Sequence, residues 1–275
     1  ANSINWGRLV PQIVYYVSAY VDLISNNKLD LEEEFNVVVP TGNFGNILAA
    51  YYAKEMGVPI GRLICASNSN NVLTDFIRTG TYNRKRNFHR TISPSMDILI
   101  SSNLERLLYE ISNRQETKVK DWMGELYHKG EYSLEGEYLD RLQSHLWGGY
   151  ANEKETRYAI EATYNDFGYI MDPHTAVGKW VYDRYREDTG DKRRTLLIST
   201  ASPFKFPEDV LKAIKGEAFT QGKTAFQIVD MLKKLWGRDV PKGLRTLNEK
   251  PIIHDTILSK DNMKQGVIDI LGLEG

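Results

Sequence analysis

A single cysteine, Cys65, occurs among the 275 residues. No internal disulfide can form, which excludes a stapled secreted scaffold and favours a reducing compartment. Neither sign of charge is in excess: 35 Lys and Arg stand against 36 Asp and Glu, a formal net charge of -1. A nucleic-acid binder would carry a basic surplus, so that class is set aside. No run reaches the ~18 apolar residues of a spanning helix, and the best candidate, Leu9 to Ile24, is broken by Pro11, Gln12 and Asp22. With no signal peptide either, the expectation is a cytoplasmic protein away from membranes. The five histidines show no metal-ligand spacing, so no metal is expected. A Gly-x-Ser-x-Gly nucleophile elbow is missing too. So is an initiator methionine: Asn2-Ser3-Ile4-Asn5-Trp6 looks like a motif already under way, and a preceding segment is expected.

What is present is ample for a core, with 41% apolar and 26% charged residues. Pro11 suits the first turn of a helix whose apolar residues occupy most of its circumference, which predicts burial. Phe35 to Val39 is a short β-branched run that reads as a buried parallel strand. A Gly-containing loop follows, then a helix over Ile47 to Met56, a strand at Leu63 to Ser67, and a helix from Val72 to Thr79. This order predicts an α/β fold with a parallel sheet covered by helices. Residues 103 to 168 carry helical patterns and no convincing strand, and read as a helical insertion. Asn152 to Glu155 offers a helix-capping box there. Beyond it, Tyr169 to Met171 and Thr195 to Ser199 read as strands and His174 to Arg186 as a helix. Further helices are expected near Glu208 to Ile214, Thr220 to Leu235 and Lys260 to Leu271.

The strongest chemical signal is Val37-Val38-Val39-Pro40-Thr41-Gly42-Asn43-Phe44-Gly45-Asn46. Glycines open backbone geometries closed to other residues, so several amides can converge ahead of a helix N-terminus and bind phosphate. A tight turn needing two glycines explains the same pattern. It is neither a Walker A loop nor a Gly-x-Gly-x-x-Gly loop. Ser199-Thr200-Ala201-Ser202-Pro203 lies at a strand's carboxyl end, where α/β sheets bind ligands, though its hydroxyls could equally cap the turn. Arg84 to Arg90 could meet an anion or be a solvated loop. Asp172-Pro173-His174-Thr175 reads as a turn and helix start, with no catalytic assignment for His174. Cys65 falls within a strand and reads as core rather than nucleophile.

Five blocks together resemble threonine synthases, the pyridoxal 5'-phosphate (PLP) enzymes of the tryptophan-synthase-β-like fold, fold type II. They are Asn2-Ser3-Ile4-Asn5-Trp6, Pro40 to Asn46, Ser93-Pro94-Ser95-Met96-Asp97-Ile98, Asp172 to Gly178, and Ser199 to Phe206, in that order. The resemblance runs over nearly all of residues 1 to 275, and implies a C-terminal portion, mainly the large cofactor-binding domain. It implies that Gly42, Asn43, Phe44, Gly45 and Asn46 hold the PLP phosphate and that Thr200 meets the pyridine nitrogen. Asn2, Ser3 and Arg8 match positions near the phosphate of O-phosphohomoserine, a role that suits the forked Arg guanidinium.

The family's Schiff-base lysine lies in a Ser-Gly-Asp/Ser-Thr-Gly context that this chain does not contain. Lys54, Lys179 and Lys205 are the lysines nearest a matching block, and none occupies that role. No catalytic residue is therefore assigned here. The implied activity is the parent enzyme's, converting O-phosphohomoserine and water to threonine and phosphate by β,γ-replacement, with the chain inactive by itself. Another fold type II enzyme, a phospholyase or dehydratase, and a non-catalytic phosphate-binding domain are the alternatives. Self-association as a homodimer is expected from apolar surface left uncovered.

Overall fold

A computed structural model describes residues 4 to 253 and 255 to 273. The chain divides into two compact units, the second beginning at Asp239. In the first unit six strands occur: β1 (Phe35–Pro40), β2 (Ile60–Ser67), β3 (Thr81–Asn83), β4 (Glu131–Ser133), β5 (Leu146–Tyr150) and β6 (Thr195–Leu197). Four make one sheet in the order β5-β2-β1-β6, and every pairing in it is parallel. β3 and β4 form a separate antiparallel pair. The α-helices among its described residues are α1 (Trp6–Ser25), α2 (Gly45–Glu55), α3 (Val72–Thr79), α4 (Leu104–Ile111), α5 (Glu116–His128), α6 (Glu137–His145), α7 (Glu153–Phe167), α8 (Pro173–Thr189), α9 (Pro207–Lys215) and α10 (Ala225–Trp236). The second unit holds α11 (Lys242–Arg245) and α12 (Met263–Leu271).

Alternation along the central strands explains the layering. Val37, Val39, Leu63 and Cys65 face one core with Ile47, Ala50, Val72 and Phe76 of α2 and α3. Val38, Ile64 and Ala66 face the other with Val177, Val181 and Tyr185 of α8. Side chains of successive strand residues point to opposite faces, so a strand buried on both sides reads as a continuous apolar run. All three segments expected as central strands contain strands, but only β1 and β2 are central: β6 is an edge of the sheet and ends at Leu197, short of the expected Ser199. Cys65 is fully buried, and burial pushes its thiol up to about 12, which fits core and not nucleophile.

Four readings need correction. Helix α1 starts at Trp6, capped by the Asn5 side chain, which accepts from the Gly7 amide at 2.9 Å; Pro11 therefore lies inside the helix, not in its first turn. Nor is α1 buried: only Leu9 and Tyr16 are, while Val10, Val14, Val17 and Val21 form an exposed apolar stripe at three- and four-residue spacing. Tyr169 to Met171 is irregular backbone leading to the capped start of α8. The stretch 103 to 168 is mainly helical but contributes β4 and β5, and β5 is an edge of the main sheet. The two glycines of its Leu-Trp-Gly-Gly-Tyr sequence are packing requirements. A Cβ on Gly148 would come 3.2 Å from the Thr74 Cα, and one on Gly149 would come 2.8 Å from Val181.

Candidate functional site

β1, β2, β5 and β6 run parallel, so their carboxyl ends share one edge, and the loops there converge. Thr41 to Phe44 connects β1 to α2. Thr41 still belongs to the sheet through its amide, 2.8 Å from the Ala66 carbonyl. Beyond it the loop's carbonyls are taken up from one side: Ser101 Oγ donates to Gly42 O at 2.8 Å, and Asn103 Nδ2 donates to Asn43 O, also at 2.8 Å. The Asn103 amide adds a second bond to that oxygen at 3.2 Å. Phe44, with φ of 63°, takes the left-handed conformation and buries its ring, turning the chain into α2. Among the described residues, no bond is made to the amides of Gly42, Asn43, Phe44, Gly45 and Asn46. With their carbonyls taken up by Ser101 and Asn103, the amides at this helix start are left as donors, an arrangement suited to an anion.

Two contacts fix this surface. Tyr16 of α1, fully buried, donates its hydroxyl to Asn46 Oδ1 at 2.5 Å. Burial raises that phenol well above its ordinary range, so it remains a donor. On the other side, Gly42 abuts the Ser93–Asp97 turn: a Cβ there would lie 2.5 Å from the Ser95 carbonyl oxygen. Only glycine tolerates that approach. The turn itself is anchored by Asp97, whose carboxylate accepts from Asn68 Nδ2 (2.7 Å), Asn70 Nδ2 (3.0 Å), the Thr91 hydroxyl (2.7 Å) and the Thr91 amide (3.0 Å).

Thr200 follows β6 on the same edge and is exposed. Ser202 caps the next turn, accepting from the Phe204 amide at 3.3 Å, and Ser199 lies 3.3 Å from the Thr175 hydroxyl of α8. Arg8 is exposed in the first turn of α1. Asn2 and Ser3 lie outside the described residues. The approach to them is tied to the loop nonetheless: Arg106 Nη2 donates to Ile4 O at 2.7 Å, and Arg106 Nη1 bonds Asn103, which holds Asn43.

Of the three lysines considered, Lys54 bonds Gly61 O at 2.5 Å at the opposite edge of the sheet, and Lys179 pairs with Asp183 at 2.6 Å. Lys205 is exposed in the turn after Ser202. In the Arg84–Arg90 run, Arg86 is committed to Asp75 at 2.7 Å and Arg84 to the Tyr127 carbonyl at 3.0 Å, so structural contacts account for both.

The sequence did not single out Tyr16, Ser101, Asn103 or the Asn68/Asn70/Asp97 network. Asn68-Ser69-Asn70-Asn71 at the end of β2 was the available signal, because clustered amides at a strand's carboxyl end have no sheet partners to satisfy.

A parallel sheet covered by helices, with a glycine loop opening a helix after its first strand, is an α/β architecture that binds ligands at its carboxyl edge. Comparisons make this specific. Residues 175–256 match the family model described as threonine synthase, C-terminal. The structure superposes on PLP-bound threonine synthase from Brucella melitensis with a TM-score of 0.72 and 34% identity, covering 86% of this chain and 52% of that one. Threonine synthase from yeast gives 0.73 and 35%, covering 86% and 49%. Threonine synthase-like 1 of Homo sapiens is 47% identical over 216 residues, 78% of this chain and 29% of its own length. Over most of its length the chain is similar to threonine synthases, and it spans about half or less of the relatives it matches.

Proposed function

We propose that the chain forms the cofactor-binding part of a PLP-dependent threonine synthase, acting on O-phosphohomoserine and water to give threonine and phosphate. The single observation that carries this reading is the row of unpartnered amides from Gly42 to Asn46 at the start of α2, with the loop carbonyls held away by Ser101 and Asn103. That donor set fits a phosphate group. Gly42, Asn43, Phe44, Gly45 and Asn46 would hold the PLP phosphate, and Thr200 the pyridine nitrogen.

When bound, PLP would supply an electron sink for carbanion chemistry on an amino-acid substrate. This chain's residues contribute grip and orientation. The loop amides would bind the phosphate dianion, Tyr16 fixes Asn46, and the neutral Thr200 hydroxyl would meet the ring nitrogen without protonating it. Arg8, with Asn2 and Ser3, would receive the substrate phosphate. No lysine here stands in the context of the family's Schiff-base lysine, so we assign no catalytic residue to these 275 residues and expect the isolated chain not to turn over. The apolar stripe on α1 supports self-association of the isolated chain as a homodimer. The lone buried thiol suits a cytoplasmic setting.

The test uses the purified 275-residue chain. Titration with PLP and with inorganic phosphate should show saturable, mutually competitive binding, and incubation with PLP and O-phosphohomoserine should yield no threonine. Absence of competition would remove the phosphate-loop reading, and threonine formation would remove the expectation of inactivity.

A further inference from the structure

Asp172, His174 and Thr175 carry no role in that reading, yet they are among the most buried polar residues of the chain, at 0%, 2% and 3% exposed. Asp172 caps α8: its Oδ1 accepts from the His174 amide at 2.9 Å. Capping explains the carboxylate but not why a histidine follows two residues later with its ring enclosed. The ring's contacts give the reason. Its Nδ1 lies 2.9 Å from Asp172 Oδ1, and its Nε2 lies 3.2 Å from the Ser95 amide nitrogen. A backbone N–H can only donate, so Nε2 carries no proton; Nδ1 then carries it and donates to Asp172. Phe206 packs against the ring, centroid to centroid 4.9 Å, and fixes its plane.

The Ser95 amide therefore rests on His174 while the Ser95 carbonyl oxygen presses on Gly42. On the other flank, the Thr175 hydroxyl bonds Asp172 Oδ2 and lies 3.3 Å from Ser199 Oγ, beside Thr200. We propose that Asp172, His174 and Thr175 are positioning residues that act as a rigid spacer, locking the Ser93–Asp97 turn against the amide loop on one side and the Ser199–Thr200 backbone on the other. Resting on the cradle reading above, the spacer sets the separation between the two grips for one ligand, the phosphate end and the ring end of PLP. It touches neither grip's ligand itself.

Three variants of the 275-residue chain test this: His174→Leu, His174→Gln and Thr175→Val. Amide hydrogen exchange is read without ligand, then affinity for inorganic phosphate and for PLP. His174→Leu should speed exchange at Ser95 and through Gly42–Asn46, and weaken phosphate and PLP each about tenfold, the scale of one lost buried hydrogen bond. His174→Gln, whose side-chain oxygen can still accept from the Ser95 amide, should recover most of both. Thr175→Val should weaken PLP several-fold and leave phosphate unchanged, a split that general loosening of the fold would not produce. Unaltered exchange in His174→Leu, a glutamine variant as impaired as the leucine one, or equal loss of phosphate and PLP in Thr175→Val would each overturn the proposal. If His174→Leu does not fold, the Gln and Val variants carry the test. If the unmodified chain binds neither probe while exchange changes as expected, the cradle reading falls and the spacer stands.

Discussion

The two edges of the main sheet spend polar groups in opposite ways. At the amino edge Asp191, Asn36 and Arg193 bond one another and their neighbours. Asp191 accepts from the Tyr185 hydroxyl at 2.6 Å, Asn36 Nδ2 at 3.0 Å and Arg193 Nη2 at 2.8 Å. Arg193 also reaches Glu34 at 2.8 Å, and Asn36 Oδ1 accepts from the Arg62 amide at 2.8 Å. The Arg193 guanidinium holds the Asp191 carboxyl well below the usual carboxylate range. At the carboxyl edge, five consecutive amides have no acceptor among the described residues, and Ser101 and Asn103 take up the loop carbonyls beside them. A saturated edge stabilises the chain; an edge held open is kept for a ligand. The contrast separates stability from binding on one scaffold.

Substitutions at the two edges should therefore fail in different assays. The largest effect is expected from Gly45→Asp, which places a negative charge where an anion must sit: binding of phosphate and of PLP should fall about 100-fold or more. Unchanged affinity by titration would count against the open edge. Gly42→Ala comes next, because its Cβ meets the Ser95 oxygen; it should cost about 1–3 kcal/mol in chemical denaturation and also weaken phosphate. At the paired edge, Asp191→Asn should cost about 1–3 kcal/mol of stability and leave phosphate affinity untouched. The folded Asp191 pKa is depressed, so its stabilisation is complete above the unfolded value of about 4 and is lost as pH falls below it. The gap between native and variant denaturation midpoints should accordingly be full at neutral pH and shrink in acid. Thr200→Val should have the smallest effect, a several-fold loss of PLP affinity with phosphate unaffected.

The sheet was legible because β1 and β2 are buried on both faces and so are apolar throughout. The loop was legible because two glycines between a strand and a helix leave few backbone options. What escaped depended on distant packing. β5 was hidden by glycines that α3 and α8 demand. The start of α1 was displaced because Pro11 drew attention from the Asn5 cap. His174 stood in a matching block but its role was not legible, since the amide it supports belongs to Ser95, in a turn that sequence spacing cannot bring beside it.

The pairing of β1 with β6 joins Asn36 to Thr195, and this long closure has a kinetic consequence. Nearly the whole first unit must be synthesised and brought back on itself before the ring-side hydroxyl can approach the phosphate loop. Bringing together such remote segments is entropically slow and falls late on the folding path. A ligand that bridges both grips would then recognise only the finished arrangement, so added PLP should slow unfolding and leave the refolding rate nearly constant, as stopped-flow measurements with and without it would record.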